Sequence, residues 1–156
     1  MRKILAVRYS WVWFASLLCA AVVLLPAARL EAQAAQTTEF SQNVKEVYFP
    51  FNVYSRVTDP AVLDSDAQWL KQHSDANFWI EGYADVRGDI FYNLVLSYRR
   101  AQFVKTSLTK RGVSDAQIGY ATGWGKLYPV CDAKDDSCFQ KNRRADMVLP
   151  ELLPRL

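Results

Sequence analysis

Asn93-Leu-Val-Leu-Ser-Tyr-Arg-Arg-Ala-Gln-Phe-Val-Lys-Thr-Ser-Leu108 is the stretch from which the rest of the chain can be placed. At 100° per residue, Asn93, Leu96, Ser97, Arg100, Ala101, Val104 and Leu108 share an arc of about 140°, which predicts a helix with one buried face. The helix runs from about Asn93 to Lys110, with Lys110 and Arg111 in its last turn and Gly112 just beyond. Arg100 lies inside the arc, between Leu96 and Val104. Arg99 points about 60° beyond its edge and reads as an ordinary solvated charge. A guanidinium on a buried face is costly unless a charged, hydrogen-bonding partner meets it. Arg100 therefore needs one.

Upstream, Asn77-Phe-Trp-Ile-Glu-Gly-Tyr-Ala84 reads as a strand that ends in the turn Asp85-Val-Arg-Gly88. Before it, Asp59 is a candidate N-cap and Pro60 a first helical residue, and Val62, Leu63, Ala67, Trp69 and Leu70 give a helical stripe to about His73. Val47-Tyr-Phe-Pro-Phe-Asn-Val53 is rich in strand formers, but Pro50 cannot donate to a ladder and marks an early strand end or an edge. Downstream, a third strand lies near Ile118–Ala121, followed by Gly123-Trp-Gly125, a polar loop and a last strand over Arg144–Leu149. The order β-α-β-α-β-loop-β predicts an α/β (α+β) two-layer sandwich with helices over one sheet face.

Asp85, at the end of the strand preceding the long helix, is the natural partner for Arg100. Two readings stand side by side. One is a structural salt bridge. The other is a cleft in which Arg100 forks a ligand carboxylate and Asp85 accepts from an ammonium, an arrangement complementary to a zwitterionic amino acid.

The helix Asn93-x-x-Leu96-Ser97-x-x-Arg100-Ala101-x-x-Val104-x-x-x-Leu108 resembles the signature helix of the OmpA-like peptidoglycan-binding domain. Glu81-Gly82-Tyr83-Ala84-Asp85-x-x-Gly88 is similar to that family's aspartate turn, Gly123-Trp-Gly125 with Pro129 to its Gly-x-Gly loop, and Asn142-Arg143-Arg144 to its Asn-Arg-Arg stretch before the last strand. The resemblance covers residues 44–149. It implies an OmpA-like β-α-β-α-β-β fold with a mixed sheet, and non-covalent binding of peptidoglycan through the diaminopimelate of the peptide stem. By position it implies binding roles for Asp85, Asn93, Arg100 and Arg143, and a weaker one for Asn52. One departure stands out. The family's first strand usually ends in Phe-Asp-x-[Asp/Asn], and here the chain reads Phe49-Pro50-Phe51-Asn52, which removes a carboxylate and a backbone donor. The competing expectation is an OmpA-like adaptor domain that has lost peptidoglycan binding and makes protein contacts with outer-membrane or other cell-envelope proteins.

The N-terminus bears on the compartment. A basic start with Arg2, Lys3 and Arg8, an apolar run from Trp11 to Ala28 and the small-x-small site Ala32-Gln33-Ala34 read as a signal peptide over 1–34, cut before Ala35; an uncleaved N-terminal anchor is the alternative. Cys19 follows Leu18 inside the apolar run and reads as part of it. Residues 35–43 read as a polar linker and 150–156 as a tail. Either N-terminal reading places the domain in the periplasm, where Cys131 and Cys138 are expected to form a disulfide. Membrane contact is expected only if the N-terminal segment is retained.

Composition removes other classes. The net charge of +3 comes from the first 34 residues; beyond them 15 basic side chains face 15 acidic ones, a poor basis for nucleic-acid binding. No metal set and no cofactor motif is present: the one histidine, His73, sits in a polar stretch and reads as exposed near a helix end. An enzyme is not expected. Ser97 has no base beside it on the helix, and Asp85 and Asp89, with Arg87 between them, read as one solvated turn.

Overall fold

The computed structural model describes residues 29–150, so most of the expected signal segment and the tail beyond Pro150 lie outside the described residues. The chain divides into two compact units between Phe40 and Ser41. Residues 29–43 are helical, so the stretch read as a polar linker over 35–43 carries regular secondary structure. Alanine, glutamine and glutamate dominate this stretch, and their intrinsic helix propensity acts without any amphipathic stripe.

In the second unit the elements are β1 (Val47–Tyr48), α1 (Pro60–Gln72), β2 (Phe78–Gly82), α2 (Ile90–Lys110), a 3₁₀ turn (Asp115–Gln117), β3 (Ile118–Gly123), α3 (Asp136–Asn142) and β4 (Arg144–Val148). The sheet order is β1-β4-β2-β3, with β4 antiparallel to both β1 and β2, and β3 parallel to β2. The mixed two-layer α+β architecture expected from the sequence is the one observed. The strand around Val47 stops after two residues, where Pro50 follows and the chain turns. Asp59 caps α1 as expected, its carboxylate accepting from Ala61 N at 3.0 Å. The long helix begins at Ile90 rather than Asn93, because Asp89 is its N-cap and accepts from Phe91 N and Tyr92 N.

The expected loop before the last strand contains a helix instead. Asp135 caps α3 by accepting from Cys138 N, and the Cys131–Cys138 disulfide, Cα–Cα 5.3 Å, ties its first turn to the preceding chain. Short polar helices without an apolar stripe leave no periodic signal. His73, expected to be exposed, is half-buried at the end of α1 with its ring stacked on Trp69 at 3.8 Å.

The core is formed by Phe49, Leu63, Leu70, Phe78, Ile80, Ala101, Val104 and Leu108, all at most 2% exposed. What seats α2 on the sheet is a pair of glycines. Gly82 and Gly123 face each other across β2 and β3. A Cβ at Gly82 would stand 1.9 Å from Ser97 O, and one at Gly123 2.2 Å from Tyr98 N. The absence of side chains at both positions lets the first half of α2 rest directly on the strand ends, and that is where the candidate site forms.

Candidate functional site

β2 leaves the sheet at Gly82, and the next residues are held by its neighbours: Tyr83 N donates to Arg144 O and Ala84 N to Gly125 O, each at 2.8 Å. This fixes Asp85, which is only 4% exposed, while Val86, Gly88 and Asp89 beyond it are exposed, so the turn is solvated as expected except at Asp85 itself. Its carboxylate accepts four hydrogen bonds. Arg87 supplies its backbone N at 3.1 Å, Nε at 3.0 Å and Nη2 at 2.7 Å; Arg143 Nη1 adds one at 3.2 Å. Burial alone would raise this carboxyl, but the bonds from Arg87 and Arg143 outweigh it and hold Asp85 below the ordinary carboxylate range.

The expected Asp85–Arg100 pair does not form. Arg100 is fully buried, as the periodicity predicts, but its guanidinium donates to backbone carbonyls: Nε to Val53 O at 3.0 Å, Nη1 to Tyr83 O at 2.7 Å and Nη2 to Pro50 O at 3.2 Å. The ring of Phe49 lies 5.1 Å from its central carbon. Burial, with Arg143 nearby, pushes its pKa down to about 10, so it remains a cation at neutral pH. Arg100 thus ties the 50–53 turn to the end of β2. Pro50, expected only as a loss, contributes the carbonyl that a missing N–H leaves untouched. Asn52 sits in the same turn with φ +57° and accepts from the Tyr92 hydroxyl.

A cavity of about 210 Å³ opens between this turn, the 84–88 segment and the start of α2. Asn52, Asp85 and Asn93 line it, together with Phe51, Arg87 and Tyr92. Asn93 is buried and its amide donates to Arg87 O at 2.7 Å and Asp85 O at 3.4 Å. Arg143 stands behind Asp85, its Nε on Phe49 O at 3.1 Å. Arg100 lies deeper, behind the turn. Of the five expected residues, three reach the cavity and two support its walls.

The sequence profile of the OmpA family matches residues 49–143, a span that contains this whole constellation. The chain belongs to the OmpA family. It is 39% identical over 113 residues to the peptidoglycan-associated lipoprotein of Rhizobium meliloti, covering 71% of this chain and 64% of that relative. Among solved structures it is similar to the peptidoglycan-associated lipoprotein of Burkholderia pseudomallei, at 42% identity and TM-score 0.62 over 67% of this chain and 88% of that one. The C-terminal domain of Helicobacter pylori MotB shares the fold, with TM-score 0.57 at 16% identity.

Within this OmpA family domain, the residues that sequence reasoning missed are Arg87, Phe51 and Phe139. Arg87 has no period to give it away; only its place two residues after Asp85, within reach of that carboxylate, hints at a role. Ser97, by contrast, packs as expected, its hydroxyl donating to Leu94 O at 2.9 Å and accepting from Gly125 N at 2.8 Å. A larger hollow of about 630 Å³ lies elsewhere, lined by Val44, Tyr48, Val62 and Gln140 among others. It contains none of the five expected residues, so the smaller cavity, with its charge constellation, is the candidate site.

Proposed function

We propose that this domain holds the chain to the bacterial cell wall by binding peptidoglycan non-covalently, with the diaminopimelate of a peptide stem entering the cavity beside Asp85. The observation that carries this reading is one buried carboxylate in the cavity wall with three guanidiniums, Arg87, Arg100 and Arg143, around it. That set has an excess of two positive charges. It offers an anionic point for an ammonium and a positive field for carboxylates, which is the pattern of a diaminopimelate head group with acidic neighbours in the stem. Arg100 and Arg143 act from behind the wall, while Asn52, Asn93 and Tyr92 supply polar atoms at its surface. The relatives from Rhizobium and Burkholderia are named for association with peptidoglycan, which supports the same reading and a place on the periplasmic side of the envelope. The chemistry is binding without turnover.

Co-sedimentation of the full chain with purified diaminopimelate-type sacculi tests this. Binding by the wild type and its loss in Asp85→Ala, with an unchanged circular dichroism spectrum, is the expected result; equal pull-down of both proteins would refute it. The adaptor reading draws on one observation, that Arg100 is wholly engaged by its own main chain. It expects no sedimentation of the wild type with sacculi.

A further inference from the structure

Arg87 lays its guanidinium between two aromatic rings, its central carbon 4.3 Å from the ring centre of Phe51 and 4.2 Å from that of Phe139. Asp85 meets the same guanidinium through both carboxylate oxygens. Two ring faces, each carrying the negative side of its quadrupole, and one carboxylate make a slot suited to a cation. Three separate segments build it: the 50–53 turn, the 85–88 turn and α3. Phe139 follows Cys138 directly in α3, next to the disulfide.

Of the two arginines on Asp85, Arg87 is the one free to leave. The side chain of Arg143 is 10% exposed, and its other nitrogens are engaged by Phe49 O and Gln140. That of Arg87 is 38% exposed. The main chain around it is fixed: the carbonyls of Asp85 and Arg87 accept from the Asn93 amide, those of Val86 and Gly88 from Lys126 Nζ. Vacating the slot therefore takes rotation of one side chain about its stem, with no opening of the loop. While Arg87 is in place the Asp85 carboxylate already accepts four hydrogen bonds, so a ligand ammonium has to compete for it.

We propose that Phe51, Phe139 and Asp85 form a cage for a primary ammonium, filled here by Arg87, and that a ligand ammonium enters by displacing that guanidinium. The cage rests on the reading of the cavity given above and adds what the ammonium meets there. It also makes Arg87 an internal competitor. Binding is an exchange of one cation for another, weaker than binding to an open cage by the value of one partly exposed ion pair and its ring contacts.

Isothermal titration of the full chain with a soluble diaminopimelate-containing stem peptide tests the exchange. Arg87→Ala is expected to bind on the order of tenfold more tightly than wild type, the equivalent of a partly exposed ion pair with cation–π support. Adding Phe139→Leu should cancel that gain, and acetylating the peptide's free amine should abolish binding to all forms. Equal or weaker binding by Arg87→Ala, with the wild type binding, overturns the cage and leaves the cavity reading standing, since Arg87 would then be gripping a ligand carboxylate. If neither protein binds the peptide, both readings fall. A second readout needs no variant: the ¹⁵N-resolved Arg87 Nε–H signal of the wild type should move towards that of free arginine at saturation. A signal that stays in place under saturating peptide refutes displacement.

Discussion

Replacing Arg100 by alanine removes a cation that, alone among the described residues, is fully buried. Three carbonyls, on Pro50, Val53 and Tyr83, lose their donor. At about 2 kcal/mol for each bond to a charged group, the loss is about 6 kcal/mol. Against it stands the burial of the charge. A pKa depressed from 12.5 to about 10 means that the folded state disfavours the cation at every pH below about 10, by about 3 kcal/mol at neutral pH, a penalty that alanine relieves. The net destabilisation is then about 3 kcal/mol, rising towards about 5 with the lost packing of a fully buried side chain. Arg99 is the internal control. It is the next residue on the same helix, exposed, with only the Tyr54 ring 5.2 Å away, and Arg99→Ala should change stability by less than about 1 kcal/mol. Urea unfolding followed by tryptophan fluorescence, with the m-value checked for constancy, measures both. If the two variants lose similar amounts, or Arg100→Ala loses less than about 1 kcal/mol, the guanidinium is not holding the 50–53 turn and the account of the site walls is wrong.

Burial pushes the Asp66 carboxyl up to about 6, although it accepts from Lys45 N at 3.0 Å. A carboxyl bound more tightly to its proton in the folded than in the unfolded state makes stability fall as pH rises from about 4 through 6. Asp66→Asn should flatten that slope by about 2 kcal/mol in unfolding midpoints measured across the range, and an unchanged slope would contradict the assignment. Gly82→Ala should lower the melting temperature steeply, by the equivalent of more than about 3 kcal/mol, because the new methyl meets the backbone of Ser97; near-native melting would show that α2 is not seated on that glycine. Reducing Cys131–Cys138, which closes a loop of sequence separation 7, should cost about 2 kcal/mol in chemical unfolding with and without dithiothreitol. A change several times larger would mean that α3 depends on the bridge to fold at all.

Periodic features were legible and contacts between turns were not. The buried position of Arg100 follows from its place between Leu96 and Val104, and the structure encloses it fully. Its partner did not follow, because a helical wheel names the face a side chain occupies but not the carbonyls that a distant turn presents to it. Pro50 illustrates the gap. Sequence reasoning weighed the N–H it lacks, while its contribution is the C=O it keeps, in a turn where Asn52 adopts a left-handed φ. The helix α3 escaped for a related reason: seven mostly polar residues show no stripe, and only Asp135, three residues before the buried Cys138, hinted at a cap.

The same distinction explains why family resemblance pointed to Asp85, Asn93 and Arg143 but not to Phe51, Arg87 and Phe139 beside them. Motif residues sit at element ends, where their spacing from a strand or helix is set by the backbone and survives as a pattern. Phe51, Arg87 and Phe139 come from three segments without periodicity, and their meeting is a matter of tertiary packing that no spacing in the sequence records. The charge balance of the cavity depends on that meeting. Without the Arg87 side chain, Asp85 would keep only the bonds from the residue-87 N–H and from Arg143, and one side would be open. With it, the carboxylate is saturated, and any amine that binds must first compete with the protein's own guanidinium.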